Sequence, residues 1–254
     1  MIESKNKILK GLTTIEKEKK VKVLLAVESG SKAWNIQSLD SDFDVRFIFK
    51  RKIEGYLSLD KKPDVIEIND ENLDYVGFDI FKFLQLVRNS NPSVIEWLFS
   101  PMDYTNKFSL YNNLLREVKN NFNPLALFQH YKSMCKQNYL KYLKSGNEVT
   151  YKKYLYAMRG LINAKWVLHR KTIPPVDFYG TLNSSLNFIP KGIISELKGI
   201  IKLKKEGKEN EIIRNIVKID NYIENFLKSN EEPESKRKFD LRIFDNILKA
   251  NLNN

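Results

Sequence analysis

Two aspartates two residues apart, Asp42 and Asp44, follow a Gly30-Ser31 pair after a short spacer. In a strand, residues two apart project to the same side. Asp42, Asp44 and Arg46 would then line one face, and Phe43, Val45, Phe47 and Phe49 the other. Neighbouring carboxylates repel unless a cation sits between them. Mg²⁺ (or Mn²⁺) suits that place, because it takes a few carboxylates together with substrate phosphates. Two such ions clamp the attacking and leaving oxygens of an in-line displacement at phosphorus. A Gly-Ser turn that opens a helix complements them. First-turn N–H groups and the positive dipole end suit phosphate oxygens, glycine allows close backbone approach, and the Ser31 hydroxyl adds a donor. Lys32 follows directly. These residue types point to chemistry on a nucleoside triphosphate (NTP).

The surrounding pattern supplies elements to hold them. Residues 21–27 are short, β-branched and apolar, and read as a buried strand ending at the Gly-Ser turn. A short helix is expected over 32–36, with strands over 43–50, 65–68 and 73–78. From Asp79, which can cap a helix, the period turns helical through Phe83, Leu84 and Val87 to Arg88, until Asn91-Pro92 breaks it. A short helix over 94–99 follows, and an amphipathic helix over 5–20 precedes the first strand. Later helices are expected over 108–120, 124–145, 149–170, 191–205, 208–228 and 239–250. Their tyrosine stripes, such as Tyr151, Tyr154 and Tyr156, read as interhelical packing. The fold class is therefore α+β. A domain of strands and helices spans 1–105, an all-helical domain 106–230, and a linker and C-terminal helix 231–254. Residues 229–239 have linker composition, which predicts a loosely attached last helix.

Composition narrows the partners. The chain has 254 residues, 42% apolar and 29% charged, enough for one large or two small cores. It has no apolar run long enough for a membrane helix and no signal-peptide pattern. Its single cysteine, Cys135, excludes an intramolecular disulfide and agrees with a cytoplasmic location. His130 and His169 have no partners at zinc-ligand spacing. The net charge of +12 favours a polyanionic partner, RNA or DNA; lysine-rich coding is the plainer explanation.

The motifs resemble a known superfamily. Gly-Ser, a spacer and Asp-x-Asp at the head of a strand are similar to the signature of polymerase β-type nucleotidyltransferases. A fuller set resembles the YcgL-like or RlaP-like branch. It comprises Glu28-Ser29-Gly30-Ser31-Lys32-Ala33-Trp34, Asp40-Ser41-Asp42-Phe43-Asp44-Val45-Arg46-Phe47-Ile48 and Val65-Ile66-Glu67. Leu73-Asp74-Tyr75-Val76-Gly77-Phe78-Asp79, Ser90-Asn91-Pro92-Ser93-Val94-Ile95-Glu96-Trp97 and Tyr151-Lys152-Lys153-Tyr154-Leu155-Tyr156-Ala157-Met158-Arg159 extend it. Lys32, Asn35 and Phe78 stand where the branch commonly has Arg, Gly and Trp; none of these changes removes a carboxylate.

The resemblance implies a palm-like mixed sheet, NMP transfer from an NTP to an acceptor hydroxyl with release of pyrophosphate, and a third acid from a later strand. Asp74, Asp79 and Glu67 compete for that place. Asp74 stands first if its strand runs parallel to 43–50; N-capping suffices to explain Asp79, and Glu67 can instead pair with Arg46. Arg46 can neutralise a phosphate, orient a carboxylate or form a structural ion pair. Lys82, one turn after Asp79, can reach a triphosphate or be solvated. Trp34 can stack on a base or cap the core. Arg159 can touch substrate or meet a facing acid. The expected set is Asp42, Asp44 and Asp74 holding two Mg²⁺ ions, with Gly30, Ser31, Lys32, Arg46 and Lys82 on the NTP. The resemblance and the charge favour an RNA 3′ end (RNA or tRNA) as acceptor. A protein hydroxyl, a small molecule such as an aminoglycoside, and a non-catalytic nucleic-acid-binding module are the alternatives.

Overall fold

A computed structural model describes residues 2–70, 72–146, 149–235 and 238–253. Helix α1 (Ile2–Lys19) leads into β1 (Lys22–Glu28), the short α2 (Gly30–Ala33) and β2 (Phe43–Lys50). A single turn, α3 (Ile53–Tyr56), precedes the hairpin of β3 (Val65–Asp70) and β4 (Leu73–Asp79). Then come α4 (Ile80–Arg88), α5 (Pro92–Leu98) and β5 (Asp103–Asn106). The rest is helical: α6 (Tyr111–Asn121), α7 (Pro124–Asn138), α8 (Tyr151–Arg170), α9 (Phe178–Ser184), α10 (Lys191–Lys205), α11 (Val217–Lys228) and α12 (Leu241–Leu252). The fold is α+β, as the pattern predicts.

Among the described residues the strands form one mixed sheet in the order β3-β4-β2-β1-β5. Strand β2 is antiparallel to β1 and parallel to β4. Side-chain alternation splits the sheet into two faces. Val45, Phe47 and Phe49 pack with Ile8, Leu12 and Ile15 of α1. On the other face Leu25, Val27 and Ile48 join a core that runs through the helices as far as Phe244 and Ile247.

Several elements differ from the sequence expectation. Strand β5, which pairs with β1, and the short α3 and α9 have no counterpart in the sequence pattern. The expected helix over 124–145 ends as α7 and continues as one π-helical turn, Tyr139–Leu143. The expected helix over 208–228 starts only at Val217, because Ile212 bridges to Thr150 and Ile213 N–H donates to Val149 O. The last helix is docked, not loose: Phe244 and Ile247 enter the main core, and Asn251 bonds both ways with the Ser109 backbone. Of the linker stretch 229–239, residues 236 and 237 lie outside the described residues. Among those described, no helix is long and apolar enough to cross a membrane.

Candidate active site

Strand β1 ends at Glu28, and Gly30 turns the chain with φ 59°. That left-handed geometry costs little only for glycine. Space makes the same demand, since a Cβ at Gly30 would collide with the Asp44 carboxylate. Gly30, Ser31 and Lys32 form the first turn of α2, whose N–H groups have no acceptors within the helix. The Lys32 ammonium lies 4.2 Å from the centre of the Phe43 ring.

Asp44 opens β2, and the parallel register places Asp74 of β4 directly beside it. Arg46 Nη2 donates to Asp44 Oδ1 and to Asp74 Oδ2, each at 2.8 Å. Its Nη1 also donates to Asp74 O at 3.0 Å. Asp42, two residues upstream, is exposed. Burial pushes the Asp44 carboxyl above the ordinary carboxylate range; Arg46 pulls it back, while Asp74 and Asp42 push it further up. Burial thus outweighs the single guanidinium at this carboxyl.

The rival acids lie elsewhere. Asp79 pairs in register with Phe49, five residues past Asp74, or roughly 16 Å at ~3.3 Å per residue. Its Oδ1 accepts from Phe81 N–H at 2.9 Å as the α4 cap, and its Oδ2 accepts from Tyr56 Oη at 2.8 Å. Glu67 is exposed on the edge strand β3, with β4 between it and β2, so it does not reach Arg46. Lys82 sits beyond Asp79 and pairs with Asp64 at 3.0 Å.

The helices wall the site. Glu96 of α5 accepts from Trp34 Nε1 at 3.3 Å and from Tyr131 Oη at 3.0 Å, and it pairs with Arg159 of α8. The Arg159 guanidinium lies 3.7 Å from the Trp34 ring centre. Trp34 and Arg159 thus hold α2 against α8 around one largely buried acid, and both also line a crevice against Ser31. Tyr156, edge-on to Trp34, feels the charge of Asp44. It lines both a crevice against Ser31 and a cleft of about 610 Å³ shared with Lys152, Lys153, Asn138 and Asn210. In the sequence Glu96 stands out only as part of a motif, and Tyr156 as part of a motif and of a tyrosine stripe that reads as packing. Glu96's partners come from residues 34, 131 and 159, so no local pattern announces its role.

Among the described residues no three acids, histidines or cysteines are grouped ready to hold a metal; Arg46 stands between Asp44 and Asp74. The donor set nonetheless fits a hard cation. It offers carboxylate oxygens, and the crowding of Asp42 and Asp74 onto Asp44 is relieved by added positive charge.

A spectinomycin adenyltransferase, AAD(9), from Enterococcus faecialis, solved with ATP and spectinomycin, superposes with a TM-score of 0.50 at 13% identity. The match covers 90% of this chain and all of that one, and it shows a shared fold. The uncharacterized protein YcgL of Bacillus subtilis (strain 168) is 37% identical over 222 residues, 87% of this chain and 84% of the relative. The profile of the family RlaP, described as RNA repair pathway DNA polymerase beta family, matches residues 4–249. With that span covered from the first helix to the last, the chain belongs to the RlaP family and is a nucleotidyltransferase of the polymerase β type.

Proposed function

We propose that this enzyme transfers an NMP from an NTP to the 3′ hydroxyl of an RNA or tRNA, with Asp42, Asp44 and Asp74 as the ligands of two Mg²⁺ ions. The observation that carries the reading is the in-register pair Asp44 and Asp74 beside the Gly30 turn. Bound there, the ions would draw charge off the phosphate oxygens and the attacking hydroxyl. Gly30 and Ser31 seat phosphate oxygens on first-turn N–H groups and the serine hydroxyl. Lys32 adds positive charge beside them. Arg46 orients both carboxylates in the absence of substrate and turns to phosphate when the cations take its place. Asp74 takes the proton of the attacking hydroxyl. The new bond joins acceptor oxygen to the α-phosphorus; the bond to the bridging oxygen breaks, and pyrophosphate leaves. Asp79 and Lys82 stand outside this set. Residues 1–105 would act as the catalytic domain and 106–230 as the helical domain that shapes the acceptor cleft.

An RNA acceptor is supported by the family description and by the lining of the 610 Å³ cleft, which among the described residues includes Lys153 and Lys152, the latter 3.8 Å from the Glu209 carboxylate, and no acid. Such a wall suits a polyanion and opposes a polycationic aminoglycoside. The test supplies each α-labelled NTP with Mg²⁺ or Mn²⁺ to three acceptor pools: RNA, protein and aminoglycosides. Label entering RNA, and lost in Asp44→Asn, supports the reading. Label entering only protein or aminoglycoside overturns the acceptor. Full transfer by both Asp42→Asn and Asp44→Asn overturns the site.

A further inference from the structure

Glu28 is fully buried and has no part in the chemistry above. It ends β1 on the α1 side of the sheet, behind Asp44. There β1 swings away through Gly30. The Ser29 N–H still reaches Asp44 O at 2.9 Å, but β1 offers no further carbonyl to the Asp44 N–H. The Glu28 side chain fills that role, its Oε1 accepting from Asp44 N–H at 2.9 Å.

Glu28 is itself held. Its Oε2 accepts from Tyr104 Oη. Its N–H donates to Met102 O at 2.9 Å, and its carbonyl accepts from Ser100 Oγ at 2.6 Å. Strand β5 is irregular at this point: Ala26 pairs with Thr105 and Val27 with Asp103, which leaves Tyr104 as the extra residue of a bulge. Bulges re-aim a side chain at the cost of ladder pairing, and this one aims Tyr104 at Glu28. A buried carboxylate is an expensive way to finish a strand, yet it is a strong acceptor for a backbone N–H.

We propose that Glu28, braced by Tyr104, is a positioning residue. It fixes the Asp44 backbone from behind, while Gly30 leaves room for the Asp44 carboxylate in front. The inference rests on the nucleotidyl-transfer reading of Asp44, and it gives the β5 edge strand a purpose.

The test compares Glu28→Ala, Glu28→Gln and Tyr104→Phe with the wild type and Asp44→Asn. The readouts are kcat, the NTP KM, thermal unfolding and hydrogen exchange of the Asp44 amide. Glu28→Ala is expected to lose about 100-fold in kcat, the scale of a misplaced reacting group, with the NTP KM little changed. Glu28→Gln keeps a carbonyl acceptor for Asp44 N–H and recovers most of kcat. Tyr104→Phe falls between them, and Asp44 exchange quickens in the order of the kcat loss. Wild-type kcat in Glu28→Ala overturns the proposal, as does a glutamine no better than alanine. If Glu28→Ala does not fold, Tyr104→Phe decides: full kcat with an unchanged Asp44 amide overturns the brace. If the wild type labels no acceptor, the transfer reading itself fails. Amide exchange in the same variants still tests the brace.

Discussion

Asp44 and Asp74 stand side by side on parallel strands, and one guanidinium, that of Arg46, is bonded to both. Asp79 lies on the same strand as Asp74 but caps a helix at the far end. The two positions therefore separate by mutation. Asp74→Asn should keep its fold and lose nearly all NMP transfer. Asp79→Asn should lose at most about 1 kcal/mol of stability, the scale of a helix cap, and keep its turnover. Thermal unfolding and initial rates on the two proteins check the pair.

Gly30→Ala combines two injuries, a side chain at positive φ and a collision with Asp44. Gly146 supplies the control, because its φ is 70° and a Cβ there would meet nothing within 4 Å among the described residues. Gly146→Ala should cost about 1–2 kcal/mol, the scale of left-handed backbone strain, and Gly30→Ala more, because the collision with Asp44 adds to it. Only Gly30→Ala should lose transfer. Equal activity of the two variants would show that the Gly30 contact is idle.

Acid titration offers a metal-free reading. The folded-state pKa of Asp44 is raised, chiefly by burial. As pH rises past the ordinary carboxylate value of 3.8, the unfolded chain gives up this proton before the folded one does. The site's share of stability is thus present at low pH and lost as pH climbs through the raised folded value. Asp44→Asn cannot ionise. Without divalent metal its Tm should match the wild type at the acid end and exceed it above the raised value. Mg²⁺ should narrow the gap by stabilising only the wild type. A pH series of Tm with and without Mg²⁺ measures this.

The Glu96–Arg159 pair is buried, with 11% and 4% of the side chains exposed. Arg159→Met leaves the acid without its charge partner and should cost about 3–5 kcal/mol. Glu96→Gln combined with Arg159→Met removes both charges and should recover part of the loss. Denaturant unfolding of the singles and the double closes the cycle.

The alternation of Phe43, Val45, Phe47 and Phe49 with Asp44 and Arg46 is enough to orient β2, because one face is uniformly apolar. The neighbourhood of Asp74 follows once β4 is taken as parallel. Strand β5 is not legible: Asp103, Tyr104, Thr105 and Asn106 show no apolar alternation, and their pairing depends on a bulge against β1. Glu28 is hidden for a related reason. It follows an apolar run that reads as a strand, and its partners lie at Asp44 and Tyr104. Periodicity over 208–216 suggests a helix, but the bridge to Thr150 captures that backbone instead. Local pattern gives way wherever a partner distant in sequence satisfies the same groups.

Lys50, the last residue of β2, buries its ammonium against the Asn251 carbonyl at 2.6 Å, 201 residues away in sequence. A nascent chain therefore exposes this lysine long before its acceptor exists. At about 5–20 residues per second, the ribosome needs roughly 10–40 s to bridge that interval. During it, the end of the sheet remote from the acids lacks its closing contact. The sheet holding Asp44 and Asp74 is thus among the earliest parts synthesised and among the last to be sealed.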